Sequence, residues 1–475
     1  MLDRSYKKDP YTLVMLTLDA HSIGSVERIK SRFSKIYPEL EIIVHAAASW
    51  EEDPSSLLKT KEDLAKANMV LITLVFLEDH ISAILPDLKK AREKCDLMLG
   101  LVSSKEIVNL TKMGGLDMSK PSSGVLKFLK KLRGDKNKVT GGEKQMAILR
   151  QIPKVLKFIP GKAQDLRAYF LSMQYWLAGS EENIESLFCY LLSRYSSLHN
   201  SSKVEIKSPV EYPETGLYHP DIPKKITENI SEIPFAKHSI GTVGLLLMRS
   251  YVLSGDTAHY DQVIRSLEAQ GLKVIPAFAA GLDARPAINK YFVQNAKASI
   301  DTFLSLTGFS LVGGPAYNSS KAAEEALAEL DVPYIAAHAI EFQNLNQWDK
   351  SDGGLNPIET TILVSLPELD GATNPTVFGG RLGEEGGCSC CVQLRTGNEK
   401  AFDMVPCYER IKSLSEKTRR LVKLKRKENS EKKVGIILYG FPPNAGSIGT
   451  AAYLSVFESL YLSLIHISEP TRPIH

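Results

Sequence analysis

The sequence has few cysteines and no apolar segment long enough to cross a membrane. Six cysteines among 475 residues are too few for a disulfide scaffold and are typical of a reducing compartment. The richest apolar run, Gly241 to Met248, is the size of a strand and falls short of the roughly 18 residues of a membrane span. No secretion signal or transit peptide is visible at the N-terminus. We therefore expect a soluble protein that stays where it is made, or one whose sequence here begins after a presequence.

An excess of charge of one sign is also missing. The chain has 58 Lys and Arg against 55 Asp and Glu, a net charge of +3, which gives no global case for nucleic-acid binding. Two segments are locally basic, residues 120–162 and the predicted helix 409–433. No aromatic side chains interleave the charges of that helix, so we interpret it as a solvated face rather than a surface for nucleic acid or an acidic partner.

A phosphate-binding loop of the G-x-x-x-x-G-K-[ST] type is absent from the sequence. If the function uses ATP, we expect another polypeptide to bind it. Hydrophobic residues make up 43% of the chain and charged residues 24%, as in an ordinary globular protein. The length allows two or three domains.

Short apolar runs alternate with helical patterns in two blocks, which predicts an α/β fold with parallel sheets. We predict a Rossmann-like, doubly wound parallel-sheet domain at 1–118 and a basic linker with an α-helical connector at 119–240. Further α/β domains follow at 241–461. The predicted strands are 11–18, 40–46, 69–76, 97–102, 242–248, 273–278, 302–306, 334–339, 361–365 and 434–439. The predicted helices include 143–158, 163–177, 181–195 with Ser180 as N-cap, 257–269 and 319–330.

The last residues, 462–475, have an unusual origin. One reading frame of a sequencing-library transposon adaptor translates to LSLIHISEPTR, which is the sequence of this segment up to Arg472. We interpret 462–475 as a non-native tail and leave it out of the fold prediction. We expect the natural chain to continue past Tyr461.

Two pairs of ionisable residues are candidate sites for a metal ion or for proton transfer. Asp256 and His259 lie in SGDTAHY at a predicted strand-to-helix turn, where α/β proteins bind ligands. The alternative is that Asp256 caps the helix and His259 lies at the surface. Glu368 and Asp370 in SLPELDG follow a predicted strand and offer oxygen ligands to a hard cation. Turn chemistry alone would also place carboxylates there.

A loop with two glycines, Gly446 and Gly449 in PNAGSIGT, lies between a predicted strand and helix. It could present backbone N–H groups to an anion. The dinucleotide fingerprint needs a further glycine, so a tight strand-to-helix turn is the favoured interpretation.

Four of the cysteines lie close in sequence: Cys388, Cys390 and Cys391 in EEGGCSCC, and Cys407. They could be thiolate ligands, but zinc sites usually pair C-x₂₋₄-C units. We therefore predict a glycine-rich surface insert.

Eight stretches in order resemble one family, the large porphyrin-binding H subunit of magnesium chelatase. The resemblance covers the chain before the tail and departs from the family at 379–406, where most of the clustered cysteines lie. The stretches are LEDH (77–80), LTKMGGLDM (110–118), IPKVLKFIPGKAQDLRAYFLSMQYWLAGSEENIESL (152–187), YPETGLYHP (212–220), SGDTAHYDQVIRSLEAQGLKVIPAFAAGLD (254–283), SLTGFSLVGGPA (305–316), PELDGATNP (367–375) and FPPNAGSIGTAAYLSVFESLY (441–461).

The resemblance implies a subunit that binds protoporphyrin IX and receives Mg²⁺ in chlorophyll biosynthesis. It makes 1–118 a head, 119–240 a linker and neck, and 241–461 the start of a truncated body that encloses the porphyrin. It implies two partners, an AAA+ ATPase subunit that hydrolyses ATP and an integrin-like subunit. It also implies a location in the chloroplast stroma of an alga or plant, or in the cytoplasm of a photosynthetic bacterium. Because most of the family's length is missing, we expect this fragment to be inactive alone.

Within this family we expect Asp256, His259, Glu368 and Asp370 to face the porphyrin cavity as catalytic groups, and Arg249 to meet a porphyrin propionate. Two alternatives stay open. One is the related large subunit of cobaltochelatase, and the other is a non-catalytic tetrapyrrole-binding or regulatory module.

Overall fold

The computed structural model describes residues 10–18, 20–50, 54–120, 152–153, 156–161, 163–198, 205–236, 238–314, 317–394, 400–438 and 455–468. Residues 1–425 form one compact unit, and 426–475 form a second. None of the helices in the described ranges is long and apolar enough to span a membrane.

The first sheet has six strands in the order β2-β1-β3-β4-β5-β6, and its first four strands are parallel. Every residue of the first strand is buried because helices cover both faces of the sheet. Its strands are β1 Tyr11–Thr17, β2 Leu40–Ala46, β3 Met69–Thr73, β4 Leu97–Leu101, β5 Lys112–Met113 and β6 Leu116–Asp117. Its helices are α1 Ala20–Ile36, α2 Pro54–Lys66, α3 Glu78–Lys94 and α4 Lys105–Val108, with a 3₁₀ turn at Ala47–Trp50.

Two helices, α5 (Ala163–Ala178) and α6 (Glu181–Tyr195), pack on the same face of this sheet as α1. As predicted, Ser180 caps α6: its hydroxyl accepts a hydrogen bond from the backbone N–H of Asn183 at 3.2 Å. The apolar face of α5 includes Leu166 and Phe170, which belong to the same core as β1. The predicted helix 143–158 lies mostly outside the described residues.

The second sheet has eight strands in the order β18-β17-β16-β13-β9-β10-β7-β8, with antiparallel strands at both edges and five parallel strands between them. Alternate residues of its central strand enter different cores, Leu245 and Leu247 on one face and Leu246 on the other. Its strands are β7 Thr215–Tyr218, β8 Ile226–Thr227, β9 Gly241–Met248, β10 Leu272–Ala279, β13 Thr302–Ser305, β16 Tyr334–Asn344, β17 Thr373–Arg381 and β18 Met404–Pro406. Two small hairpins add β11 Val293–Gln294 with β12 Lys297–Ala298, and β14 Gly313–Gly314 with β15 Tyr317–Asn318.

Helices again cover both faces of the second sheet. The helices are α7 Arg249–Ser254, α8 Ala258–Ala269, α9 Arg285–Tyr291, α10 Ser320–Leu330, α11 Leu345–Lys350, α12 Pro357–Glu359, α13 Leu366–Leu369 and α14 Tyr408–Arg426, with 3₁₀ turns at Ile230–Glu232 and Ser389–Leu394. The second unit contains a 3₁₀ turn at Asn429–Glu431 and α15 at Val456–Ser468.

Two predicted strands are wrong. Residues Thr360–Ser365 form a π-helical turn that continues α12 into α13. The segment TTILVS therefore buries Leu363 on one helical face and does not pair with a neighbouring strand. Residues 434–438 have no regular structure, because no strand among the described residues pairs with them. Gly446 and Gly449 lie outside the described residues.

Candidate functional site

A cavity of about 380 Å³ lies between the two sheets, inside the 1–425 unit. On one side it is lined by Leu74 and Val102, the residues that directly follow β3 and β4. On the other side it is lined by Met248, Ala279 and Thr307, at the carboxyl ends of β9, β10 and β13. In open α/β sheets ligands bind at this edge, near the point where the strand order reverses. Both sheets therefore turn their ligand-binding edges toward one space.

The strand orders place the reversal points at the cavity. In the first sheet the order reverses between β1 and β3, and Ser22 and Leu74, which follow these strands, both line the cavity. In the second sheet the order reverses between β9 and β13, whose following residues Arg249 and Thr307 also line it. The end of α5 closes another side with Trp176. Most of the lining is apolar, as in sites for small organic ligands.

Two residues at the cavity have strained backbones. Leu74 has φ 59° and Val102 has φ 45°, in the left-handed region. A β-branched residue there is an outlier, and such strain costs about 1–3 kcal/mol and concentrates at functional sites. Val102 is also 38% exposed, and Leu282 on the opposite wall is 54% exposed. The cavity thus presents apolar side chains that the described part of the chain leaves partly exposed.

Arg249 lines the cavity at the start of α7. Its contact with a porphyrin propionate stays a prediction. Its Nε donates a hydrogen bond to the carbonyl of Pro213 at 3.2 Å, and its Nη2 donates to the carbonyl of Tyr212 at 3.2 Å. These bonds fix the guanidinium at the cavity wall. Asp283 also lines the cavity, where the Arg285 guanidinium, 2.7 Å away, lowers the pKa of its carboxyl.

Asp256 is buried, with 7% of its surface exposed, and does not cap α8. Its Oδ1 instead accepts a hydrogen bond from the backbone N–H of Met404 at 3.1 Å. Burial raises the pKa of Asp256 to about 6, and the charge of Asp403 adds to this, whereas the Met404 bond and the charge of Arg28 oppose it. A carboxyl with such a pKa can exchange protons close to neutral pH.

His259 is fully buried, so its interpretation as a surface residue is wrong. Its ring lies among three aromatic rings, with centroids 3.9 Å from Tyr260, 5.2 Å from Tyr251 and 5.8 Å from Phe378. Asp256 and His259 therefore both belong to the interior behind α7. Neither is among the described residues that line the cavity.

Glu368 and Asp370 occupy different environments. Glu368 is exposed, whereas Asp370 is buried and accepts a hydrogen bond from the backbone N–H of Leu311 at 2.8 Å. Burial raises the pKa of Asp370. They follow the π-helical turn and not a strand, and the structure does not place them on the cavity wall. Their catalytic role, like that of Asp256 and His259, stays a prediction.

The interpretation of the cysteines as part of a surface insert is wrong. Cys388, Cys391 and Cys407 are fully buried and only Cys390 is exposed. The four sulfur atoms lie within 4.8 Å of one another, and no other group of three or more potential metal ligands is found among the described residues. The spacing of the cysteines in the sequence does not predict this cluster, because the pairing of β18 with β17 brings Cys407 close to the other three cysteines.

The sequence analysis did not predict the cavity-lining residues of the first sheet and of α5. The loops that follow β3 and β4 could have been predicted from the rule that ligands bind at the carboxyl ends of parallel strands. The sequence does not say that this edge faces the second sheet, because that depends on how α1 packs against α6 and α7.

Comparison with known proteins identifies the family. The CobN/Magnesium Chelatase family matches residues 173–469, and a domain of unknown function matches residues 12–170. The magnesium-chelatase H subunit of Cereibacter sphaeroides is 54% identical over 95% of this chain, and the chain covers 38% of that relative. The chloroplastic magnesium-chelatase subunit ChlH of Oryza sativa subsp. indica is 36% identical over 84% of this chain and 29% of its own length.

The fold also has a solved counterpart. The catalytic subunit of cobaltochelatase from Mycobacterium tuberculosis superposes with a TM-score of 0.55 at 15% identity, over 97% of this chain and 31% of that one. This likeness confirms the mixed α/β fold with parallel sheets. The chain spans less than two fifths of the length of these relatives. With a family match over more than half of its length, the chain belongs to the CobN/magnesium chelatase family.

Proposed function

We propose that this chain is part of the porphyrin-binding large subunit of a magnesium chelatase, which inserts Mg²⁺ into protoporphyrin IX during chlorophyll biosynthesis. The first sheet would be the head, α5 and α6 the neck, and the second sheet the beginning of the body. The family match and the 54% identity to a magnesium-chelatase H subunit support this assignment.

The observation that carries the proposal is the apolar cavity between the two sheets. Protoporphyrin is a flat apolar ring with two carboxylates at one edge. The cavity offers apolar walls from both sheets together with one arginine, Arg249. Its volume of about 380 Å³ lies within the usual range of ligand sites, roughly 300–1,000 Å³. Arg249 would bind a propionate, and Trp176 and Leu282 would contact the ring.

Insertion requires Mg²⁺ to lose water and two pyrrole nitrogens to lose protons. Buried carboxyl and imidazole groups can accept such protons, and Asp256, with its pKa raised to about 6, suits this task. We propose that the buried Asp256, His259 and Asp370, together with the exposed Glu368, accept these protons in the complete subunit. An AAA+ ATPase partner would hydrolyse ATP, and an integrin-like subunit would complete the complex. The location would be the chloroplast stroma in an alga or plant, or the cytoplasm in a bacterium.

The cavity is tested by titrating protoporphyrin IX against the 475-residue chain while following porphyrin fluorescence. We expect saturable binding, and we expect Leu282→Glu to weaken it at least tenfold because a carboxylate would be desolvated against the ring. The matched control is Leu369→Glu, which changes a leucine that is 67% exposed and lies away from the cavity.

Unaltered porphyrin fluorescence on addition of the wild-type chain would contradict binding by this part of the subunit. Equal affinities of the Leu282→Glu and Leu369→Glu variants would contradict the location of the site, while leaving the assignment to a porphyrin-binding subunit in place.

The second candidate is the large subunit of a cobaltochelatase, because the family that matches residues 173–469 includes CobN as well as magnesium chelatase. A parallel titration with hydrogenobyrinic acid diamide separates the two functions. Preference for the corrin precursor over protoporphyrin would reverse the assignment.

A further inference from the structure

One acidic side chain lies on the wall of the cavity itself. Asp283 is the only carboxyl-bearing residue among the described residues that line this space. The four groups proposed above as proton acceptors are not among these lining residues. The carboxyl group that a ligand in the cavity would meet first is therefore one to which the proposed proton chemistry gives no role.

The fold holds the loop that carries Asp283 firmly at the cavity. This loop follows β10 at the carboxyl edge of the second sheet, and a bridge between Asp283 and Val312 pairs it with the loop after β13. The N–H of Ala284 donates to the carbonyl of Leu311 at 2.9 Å, and the N–H of Leu311 donates to the buried carboxyl of Asp370 at 2.8 Å. The position of Asp283 is therefore set by the sheet and not by a free loop.

Asp283 is kept in its charged form by a neighbouring arginine. The Nη2 atom of Arg285 donates to Oδ2 of Asp283 at 2.7 Å, and its Nε donates to Oδ1 at 2.9 Å. These hydrogen bonds lower the pKa of Asp283, whereas burial raises the pKa of Asp256 to about 6. The two acids therefore suit different tasks at neutral pH, since Asp256 can exchange a proton and Asp283 can hold a cation.

The arginine that pairs with Asp283 can be exchanged for another cation. The side chains of Asp283 and Arg285 are 41% and 45% exposed, and an ion pair so open to water contributes little to stability. The backbone N–H of Arg285 also donates to Oδ1 of Asp283 at 3.0 Å. This Asx turn would keep the carboxylate in place when the guanidinium leaves it.

The surroundings of Asp283 suit a hydrated magnesium ion. Mg²⁺ prefers oxygen ligands, keeps several of its waters and is usually bound by one or two carboxylates together with groups of the substrate. Thr307 and Ser310 line the cavity on the loop that pairs with Asp283, and their hydroxyl oxygens can accept hydrogen bonds from such waters. No group of three ligating side chains includes Asp283 in the described part of the chain, so an ion bound here would be easily released to a substrate.

On the basis of the proposed function, we propose that Asp283 is a catalytic residue that receives hydrated Mg²⁺ at the porphyrin cavity. The ion would replace Arg285 on the carboxylate, and the pyrrole nitrogens would then replace Asp283 on the ion. The two pyrrole protons would pass to the acceptors proposed above, so the charge of the ring is unchanged when Mg²⁺ takes their place. Asp283 would then pair with Arg285 again.

The test is a titration of Mn²⁺ into the 475-residue chain saturated with protoporphyrin IX. Mn²⁺ takes the same oxygen ligands as Mg²⁺ and, being paramagnetic, quenches the fluorescence of a porphyrin close to it. We expect saturable quenching that excess Mg²⁺ reverses. Asp283→Asn should raise the Mn²⁺ concentration of half-quenching at least fivefold, whereas Arg285→Met, which removes the competing cation, should lower it at least twofold. Each variant is studied at its own saturating porphyrin concentration.

The matched control is Asp221→Asn. Asp221 is 49% exposed and pairs with Arg265 at 2.7 Å, but it does not line the cavity, so this variant should respond to Mn²⁺ as wild type does. The inference is overturned, with the proposed function intact, if porphyrin binds but Mn²⁺ leaves its fluorescence unchanged. Equal half-quenching concentrations for Asp283→Asn and Asp221→Asn, or a rise for Arg285→Met, would overturn it in the same way. A wild-type chain that binds no porphyrin would contradict the proposed function and this inference together.

Discussion

Asp256 shows how one buried group can set the pH response of the protein. Because burial raises its pKa from 3.8 to about 6, the folded chain keeps a proton that the unfolded chain loses between these values. The contribution of this group to the free energy of unfolding therefore falls as pH rises from about 4 to about 6. The total loss is about 3 kcal/mol.

We expect Asp256→Asn to remove this pH dependence, so that the stability of the variant relative to wild type rises across that interval. Urea unfolding at about pH 4.5 and about pH 7 measures the change. Glu368→Gln, which alters an exposed carboxyl, should leave the wild-type profile in place. Parallel profiles for wild type and Asp256→Asn would show that Asp256 does not titrate in this interval.

At the scale of elements, the strand ends of the first sheet have unfavourable backbone geometry. Val102 adopts φ 45° directly after β4 and lines the cavity. Asparagine tolerates this conformation better than a β-branched residue. We expect Val102→Asn to raise the free energy of unfolding by about 1 kcal/mol while weakening porphyrin binding.

Val434→Asn is the control, because Val434 is also exposed and is not among the described residues with positive φ. It should not stabilise the chain. Thermal unfolding and porphyrin titration of both variants provide the two readouts. If Val102→Asn binds porphyrin as well as wild type does, this strand end is not part of the site.

The elements themselves could mostly be predicted from sequence. Parallel strands buried on both faces have the sequence pattern of apolar runs such as β1, and Ser180 indicated the start of α6. Prediction failed at 434–438, where no strand among the described residues pairs with the apolar run. It also failed at Thr360–Ser365, where a short apolar run forms a π-helical turn. Periodicity cannot distinguish a buried strand from a buried helical turn in so short a run.

The candidate site was less accessible to sequence reasoning than the fold. Arg249 lines the cavity, but its contact with a propionate stays a prediction. The environments of His259 and the cysteines were not foreseen, since their burial depends on strand pairs distant in sequence, such as β17 with β18. Residues brought together by tertiary contacts carry no signal in local spacing.

At the scale of the whole molecule, Arg28 of α1 links the first sheet to its neighbours. Its Nε donates to Glu181 Oε2 of α6 at 2.6 Å, and its Nη2 donates to the carbonyl of Ser254 in α7 at 2.8 Å. Hydrogen bonds of charged groups contribute about 1.5–3 kcal/mol each at most. We expect Arg28→Met, which keeps an apolar stem, to lower the free energy of unfolding by about 1–3 kcal/mol.

Lys30→Met on the same helix is the matched control, because Lys30 pairs with Glu27 of its own helix, and it should cost under about 0.5 kcal/mol. Urea unfolding measures both variants, and limited proteolysis between the two sheets reports their separation. Equal effects of the two substitutions would contradict a linking role for Arg28.

The facing carboxyl edges of the two sheets have a consequence for ligand exchange. A planar guest held between them would contact both layers at once, so separation of the layers would speed its release. The residence time of the guest would then depend on the interactions that hold the two sheets together as well as on the residues that contact the ring. A partner protein that separates the two sheets would control release without contacting the guest.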